Sequence, residues 1–103
     1  MEDPKYYNYD VLVYIGDIEN PTEQYSIENL VFANPIGIEE SVFARRPDSQ
    51  LAVNLGRVAH VQHFSGLGYI NPTTILHTFR KSTDPDFLDY IKNREDESNP
   101  PKN

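Results

Sequence analysis

The apolar positions of this chain fall into five groups, within 7–18, 25–33, 41–64, 69–79 and 87–91. Their spacing predicts mostly strands. Residues 7–16, Tyr-Asn-Tyr-Asp-Val-Leu-Val-Tyr-Ile-Gly, are rich in β-branched and aromatic side chains. From Val11 to Ile15 both alternating sets are apolar, the pattern of a central strand covered on both faces. Residues 17–22 read as a turn, because Pro21 cannot donate to a strand ladder. Residues 24–33 alternate through Tyr25 and Ile27 and become continuously apolar from Leu30, which predicts a second strand with a bulge near Glu28-Asn29. Asn34-Pro-Ile-Gly37 breaks the pattern.

The middle of the chain admits two readings. Residues 39–46 suit a short helix, with Glu39 and Glu40 in its first turn and Arg45 and Arg46 in its last, or equally a strand. Residues 47–50 read as a turn. A helix over 49–64 would scatter Val53, Val61 and Phe64 onto a second face and place Gly56 in its interior, at about 1 kcal/mol against alanine. Two strands, 51–55 and 57–64, with Gly56 at a turn or bulge, fit better. Ser65-Gly-Leu-Gly68 is a loop, and residues 73–79 are a strand by composition.

The last element is a helix. Asp84 can cap it, Pro85 suits the first helical position and Asp86 complements the dipole. Phe87, Tyr90, Ile91 and Arg94 then follow at helical spacing. At roughly ten residues it needs a surface to dock on. The expected fold is mainly β (α+β), a small five- to six-stranded antiparallel barrel or sandwich with one C-terminal helix. A single globular domain at 6–93 is expected between a flexible N-terminus, 1–5, and a disordered acidic, proline-rich tail, 94–103, which has no apolar side chain.

Composition narrows the chemistry. A chain of 103 residues is one small domain, near the size at which oligomerisation, metals or disulfides are called on for stability. Cysteine is absent, which excludes disulfides, thiolate nucleophiles and cysteine-based metal sites. No apolar run approaches the roughly 18 residues of a membrane helix, and the N-terminus lacks a signal-type apolar region. A soluble, cytoplasmic protein without membrane contact is expected.

Charge changes the picture more. The formal net charge is -7. Residues 1–40 carry nine acids and one base, residues 41–81 one acid and five bases, and residues 82–103 six acids and three bases. The five central bases, Arg45, Arg46, Arg57, Arg80 and Lys81, are the candidate surface for an anion or a partner. Aromatic residues interleave with them, as single-stranded nucleic acid binding requires. The alternative is that acidic and basic segments pair with each other across the fold.

His60, His63 and His77 are weak metal-ligand candidates. On a strand His60 and His63 point to opposite faces, leaving His77 to meet one of them from a neighbouring strand. No nucleophile elbow or phosphate loop is present, so no catalytic residue is assigned and no cofactor is expected. Tyr6, Tyr7 and Tyr9, and the stripe Phe87, Tyr90 and Ile91, are candidate partner contacts; the tyrosines equally suit capping the core, and the stripe suits packing on its own sheet better than a partner's groove. The expected function is that of a small non-catalytic interaction protein, an accessory subunit or phage-type factor that regulates or inhibits another macromolecule. A protein is the expected partner, and homo-oligomerisation is compatible with the chain's size. The alternatives are nucleic-acid or nucleotide binding through the central segment and a small histidine-dependent metal protein or enzyme.

Overall fold

A computed structural model describes residues 6–46 and 52–98, with side chains as far as Arg94. The expected turn at 47–50 lies outside the described residues, as do the terminal segments 1–5 and 99–103. The elements are β1 (Tyr7–Asp17), β2 (Asn20–Phe32), β3 (Ser41–Arg45), β4 (Ala52–Phe64), β5 (Thr73–Arg80) and α1 (Pro85–Ser98). The strands form a single sheet in the order β2-β1-β5-β4-β3. It curls into a half-barrel around α1, a small mainly β fold with one C-terminal helix.

The centre of the sheet is mixed rather than antiparallel throughout. β1 pairs with β5 in parallel, from Asp10↔Ile75 to Ile15↔Arg80, and the other three pairings are antiparallel. Successive strands reverse direction, so the first and fifth run the same way. Placing them side by side makes their pairing parallel.

Each strand follows from its local sequence. β1 and β2 are joined through Ile18-Glu19, a tighter connection than residues 17–22 suggested. Pro21 falls within β2, at the start of an edge strand, where the missing N–H costs least. The register between these strands skips from Tyr9↔Leu30 to Val11↔Ile27. The bulge therefore lies at Glu28-Asn29, as expected. Asn29 takes a φ of 59°, and the Asp10 carboxylate accepts its N–H at 3.0 Å.

Residues 39–46 resolve as strand over Ser41–Arg45, where Val42 and Ala44 alternate inward. The two strands expected at 51–55 and 57–64 are one continuous β4 over the described residues. Gly56 makes a bulge within it against β3, at a φ of 107°. A Cβ at this position would stand 2.5 Å from the Phe79 carbonyl oxygen. Beside it, the buried Thr78 hydroxyl donates to the Leu55 carbonyl at 2.8 Å. A second irregularity between Val58 and His60, against β5, adds to the curl.

The inner face carries alternate residues of every strand: Val11, Val13 and Ile15 of β1, Ile27 of β2, Val42 and Ala44 of β3, Val53, Leu55 and Val58 of β4, and Leu76 of β5. Phe87, Tyr90 and Ile91 of α1 complete this core. Asp84 caps the helix by accepting the Phe87 N–H at 2.8 Å. That bond holds the Asp84 carboxyl below its ordinary pKa, with the Arg80 guanidinium acting in the same direction. A cap contributes about 1 kcal/mol, whereas complete burial of a Phe side chain contributes roughly 1.5–3 kcal/mol. Docking of Phe87 therefore outweighs capping in placing the helix.

α1 continues to Ser98, into the segment that composition alone reads as a disordered tail. Helix propagation is the physical reason. Once a docked turn has met the nucleation cost, each further residue adds a backbone bond without repeating it. Arg94 holds the helix to the sheet by donating to the Glu28 carbonyl.

Two substitutions test this account in urea titrations. Gly56→Ala combines a disfavoured φ with a backbone clash, and should cost roughly 2–5 kcal/mol. Arg80→Lys should cost about 2 kcal/mol, because an ammonium cannot reproduce the guanidinium's bonds to the Ser82 and Asn54 carbonyls and the Asp84 carboxylate.

Candidate functional site

The strand order leaves β2 and β3 as the two edges of the curled sheet, each with one side unpaired by any described strand. Between them, where a closed barrel would have its seam, lies a groove of about 550 Å³. Leu30, Val31, Phe32 and Ala33 form one wall, and Phe43, Ala44, Arg45 and Arg46 form the other. Tyr90, Asn93 and Arg94 of α1 line it between the walls. Val31 is 58% exposed and Phe43 is 53% exposed. Apolar side chains on two sheet edges are unusual, since edges are normally blunted by charge, proline or a covering element.

The electrostatics are as specific as the shape. In a chain of net charge -7, every charged side chain lining the groove among the described residues is an arginine. Arg45 is exposed. Arg94 donates to the Glu28 carbonyl. Arg46 pairs with Asp86 at 3.3 Å and Asp89 at 3.8 Å on α1. The groove thus joins an apolar lining, two strand edges with backbone donors and acceptors, and arginine side chains.

The five central bases do not converge on one point. Arg45 and Arg46 reach the groove, where Arg94 joins them. Arg57 lies on the outer sheet face and donates to the Glu39 carbonyl at 3.0 Å. Arg80 lies over the Phe87 ring, 4.4 Å from its centroid, and binds Asp84 at 2.9 Å. Lys81 is exposed just beyond β5. Arg46 pairs with acids of α1, the cross-fold pairing weighed against a shared anion surface, whereas Arg80 pairs locally with Asp84 four residues on.

Of the six partner-contact candidates, Tyr6 and Tyr7 are exposed. The structure buries the other four in the core. Tyr9 packs against Phe32 and accepts the Ile36 N–H through its hydroxyl at 3.1 Å. Phe87, Tyr90 and Ile91 dock on their own sheet, because burying that stripe locally satisfies it without a partner. Tyr90 also borders the groove.

The histidines divide between the two faces. His60 pairs with His77 across β4 and β5 on the outer face, with ring centroids 5.4 Å apart. His63 lies opposite Thr74, bonded to its hydroxyl at 3.3 Å. Among the described residues, no group of three or more His, Cys, Asp or Glu side chains is placed to hold a metal ion.

His77 is instead the centre of a neutral network. Its Nδ1 lies 2.8 Å from the Tyr14 hydroxyl and its Nε2 lies 2.5 Å from Gln62 Oε1. A ring protonated on Nε2 satisfies both contacts: Tyr14 donates to Nδ1, and Nε2–H donates to Gln62. Burial lowers the His77 pKa from its ordinary value, and the neighbouring His60 lowers it further.

The groove contains residues the sequence did not single out. Arg94 and the Leu30–Phe32 wall carry no motif, and only β2 and β3 becoming the two edges brings them together. Comparison with protein-family models, curated proteins and solved structures gives no match to this chain.

The His77 network predicts a pH dependence with a definite sign. Its folded pKa is lowered, so the unfolded chain takes up the proton first as pH falls. The contribution of His77 to stability is therefore intact above its ordinary pKa of about 6.5 and declines as pH drops below it. Urea titrations between pH 7.5 and 5 should show a steeper loss for the natural protein than for His77→Gln.

Proposed function

We propose that this protein is a small non-catalytic interaction module that takes an extended segment of another protein into the groove between β2 and β3. The single observation that carries this reading is the coincidence, among the described residues, of two sheet edges with an apolar lining and arginine charge. A peptide strand added along either edge gains main-chain hydrogen bonds, and alternate side chains enter the groove for specificity. The groove favours a segment that alternates apolar and acidic residues. Leu30, Phe32, Phe43 and Tyr90 would receive the apolar ones, and Arg45 and Arg94 the carboxylates. Through this contact the chain would act as an accessory or inhibitory factor of its partner.

The histidines support a non-catalytic role. Both ring nitrogens of His77 are engaged in internal hydrogen bonds, so the ring does not present a free base. The alternative of single-stranded nucleic acid binding also uses arginines beside aromatics, but it makes no use of the strand edges.

Panning a display library of random twelve-residue peptides against the full chain tests the proposal. Selected peptides should share the alternating apolar and acidic pattern. Arg45→Glu, at an exposed position, should weaken a selected peptide by about tenfold, near 1.4 kcal/mol. Phe43→Ser should weaken it as well. Retention of single-stranded oligonucleotides at 50 mM salt, without peptide selection, would overturn the reading in favour of nucleic acid.

A further inference from the structure

We infer that the partner segment adds to β3 rather than to β2, as a sixth strand antiparallel to it, an inference that rests on the groove being the binding site. The two sheet edges are not equivalent. Edge strands are normally blunted by proline, bulges, charge or a cover, because an open edge pairs with extended chains that reach it. β2 carries several of these devices. Pro21 removes a donor, Glu23 and Glu28 bring charge, and the bulge at Glu28-Asn29 interrupts the edge. Backbone groups at that bulge are already engaged. Arg94 donates to the Glu28 carbonyl, and the Asn29 N–H donates to the Asp10 carboxylate. Past the bulge, only Leu30, Val31 and Phe32 remain before β2 ends.

β3 lacks these devices. Ser41-Val-Phe-Ala-Arg45 contains no proline, glycine or acid. The extra residue of the bulge beside it belongs to β4, where Asn54 to Gly56 oppose the single step from Phe43 to Val42. β3 itself therefore stays regular over its five residues. Its one charge, Arg45, stands at the last position and faces away from the core, since Val42 and Ala44 are the buried pair. A cation at the end of an otherwise neutral edge disfavours basic strands and admits acidic ones.

Connectivity sets the direction. β2 runs opposite to β1, whereas β3 runs the same way as β1 through β5 and β4, so the two edges are antiparallel to each other. A strand seated between them is antiparallel to one and parallel to the other. Antiparallel pairing is slightly the more stable per residue, and β3 is the edge left regular. The segment therefore enters beside Arg45 and leaves beside Ser41. This defines the partner further. It must offer a tail or loop with an extended stretch matching the five residues of β3. The acid that meets Arg45 lies toward the N-terminal end of that stretch.

Amide hydrogen exchange, read by NMR on the isotope-labelled full chain, tests this with a peptide selected from the display library. At saturation, the fast-exchanging amides of Ser41–Arg45 should slow by about tenfold, and those of Leu30, Val31 and Phe32 by less than about twofold. N-methylation at alternate residues of the paired stretch should weaken the peptide about tenfold, and at the residues between them less than about twofold. A nitroxide at the peptide N-terminus should broaden Arg45 and its partner Ala52 more than Ser41 and its partner Arg57. Protection of Leu30, Val31 and Phe32 instead of β3 overturns the inference and leaves the groove as the binding site. So does a loss at every methylated position or at none, or broadening centred on Ser41. Failure to select any peptide overturns the groove reading itself, and this inference with it.

Discussion

The architecture depends on Arg80. Its guanidinium spreads over the Phe87 ring and donates to the Asn54 and Ser82 carbonyls and the Asp84 carboxylate. Through one side chain the end of β5, the start of β4 and the N-terminus of α1 are held together. Asp84 in turn caps Phe87, whose ring is fully buried and meets Tyr25 edge-on at 5.3 Å. Charge, hydrogen bonding and apolar burial thus favour one position for the helix. A planar, permanently charged fork makes this arrangement possible, since it binds in its plane and stacks through its face.

With the helix held inside, the sheet curls without closing. Bulges supply the curl: Glu28-Asn29 bends β2, and Gly56 and the Val58/His60 irregularity bend β4. The helix occupies the space a closed barrel would fill with side chains. β2 and β3 therefore remain apart, with α1 exposed between them along the groove. The binding site proposed here is a direct consequence of packing a helix into a sheet of only five strands.

The surface divides by charge in a way the net value conceals. Asp86 and Asp89 of α1 pair with Arg46, the cap Asp84 pairs with Arg80, and the charged side chains among the described residues lining the groove are arginines. Under the proposed function, an acidic protein with an arginine-lined groove would repel most polyanions and still attract a short acidic segment at close range. This follows from screening, because fields weaken over about 8 Å at physiological salt while contacts inside a groove persist.

The sequence by itself determined the local features. Alternation revealed the strands, glycine and proline marked where they bend, Asp84-Pro85 marked the helix start, and the spacing of His60 and His63 placed them on opposite faces. These are effects of neighbouring residues, whose geometry repeats every two or 3.6 positions. Its charge blocks also foreshadowed the pairing of central arginines with C-terminal acids. Tertiary structure alone decided that β1 lies beside β5, that Arg94 joins Arg45 at a groove, and that His77 meets Tyr14 and Gln62. Those contacts join residues 15 to 63 positions apart or more, and no periodicity encodes them. They arise because burying one apolar face of the whole sheet on a single helix fixes which strands become the edges.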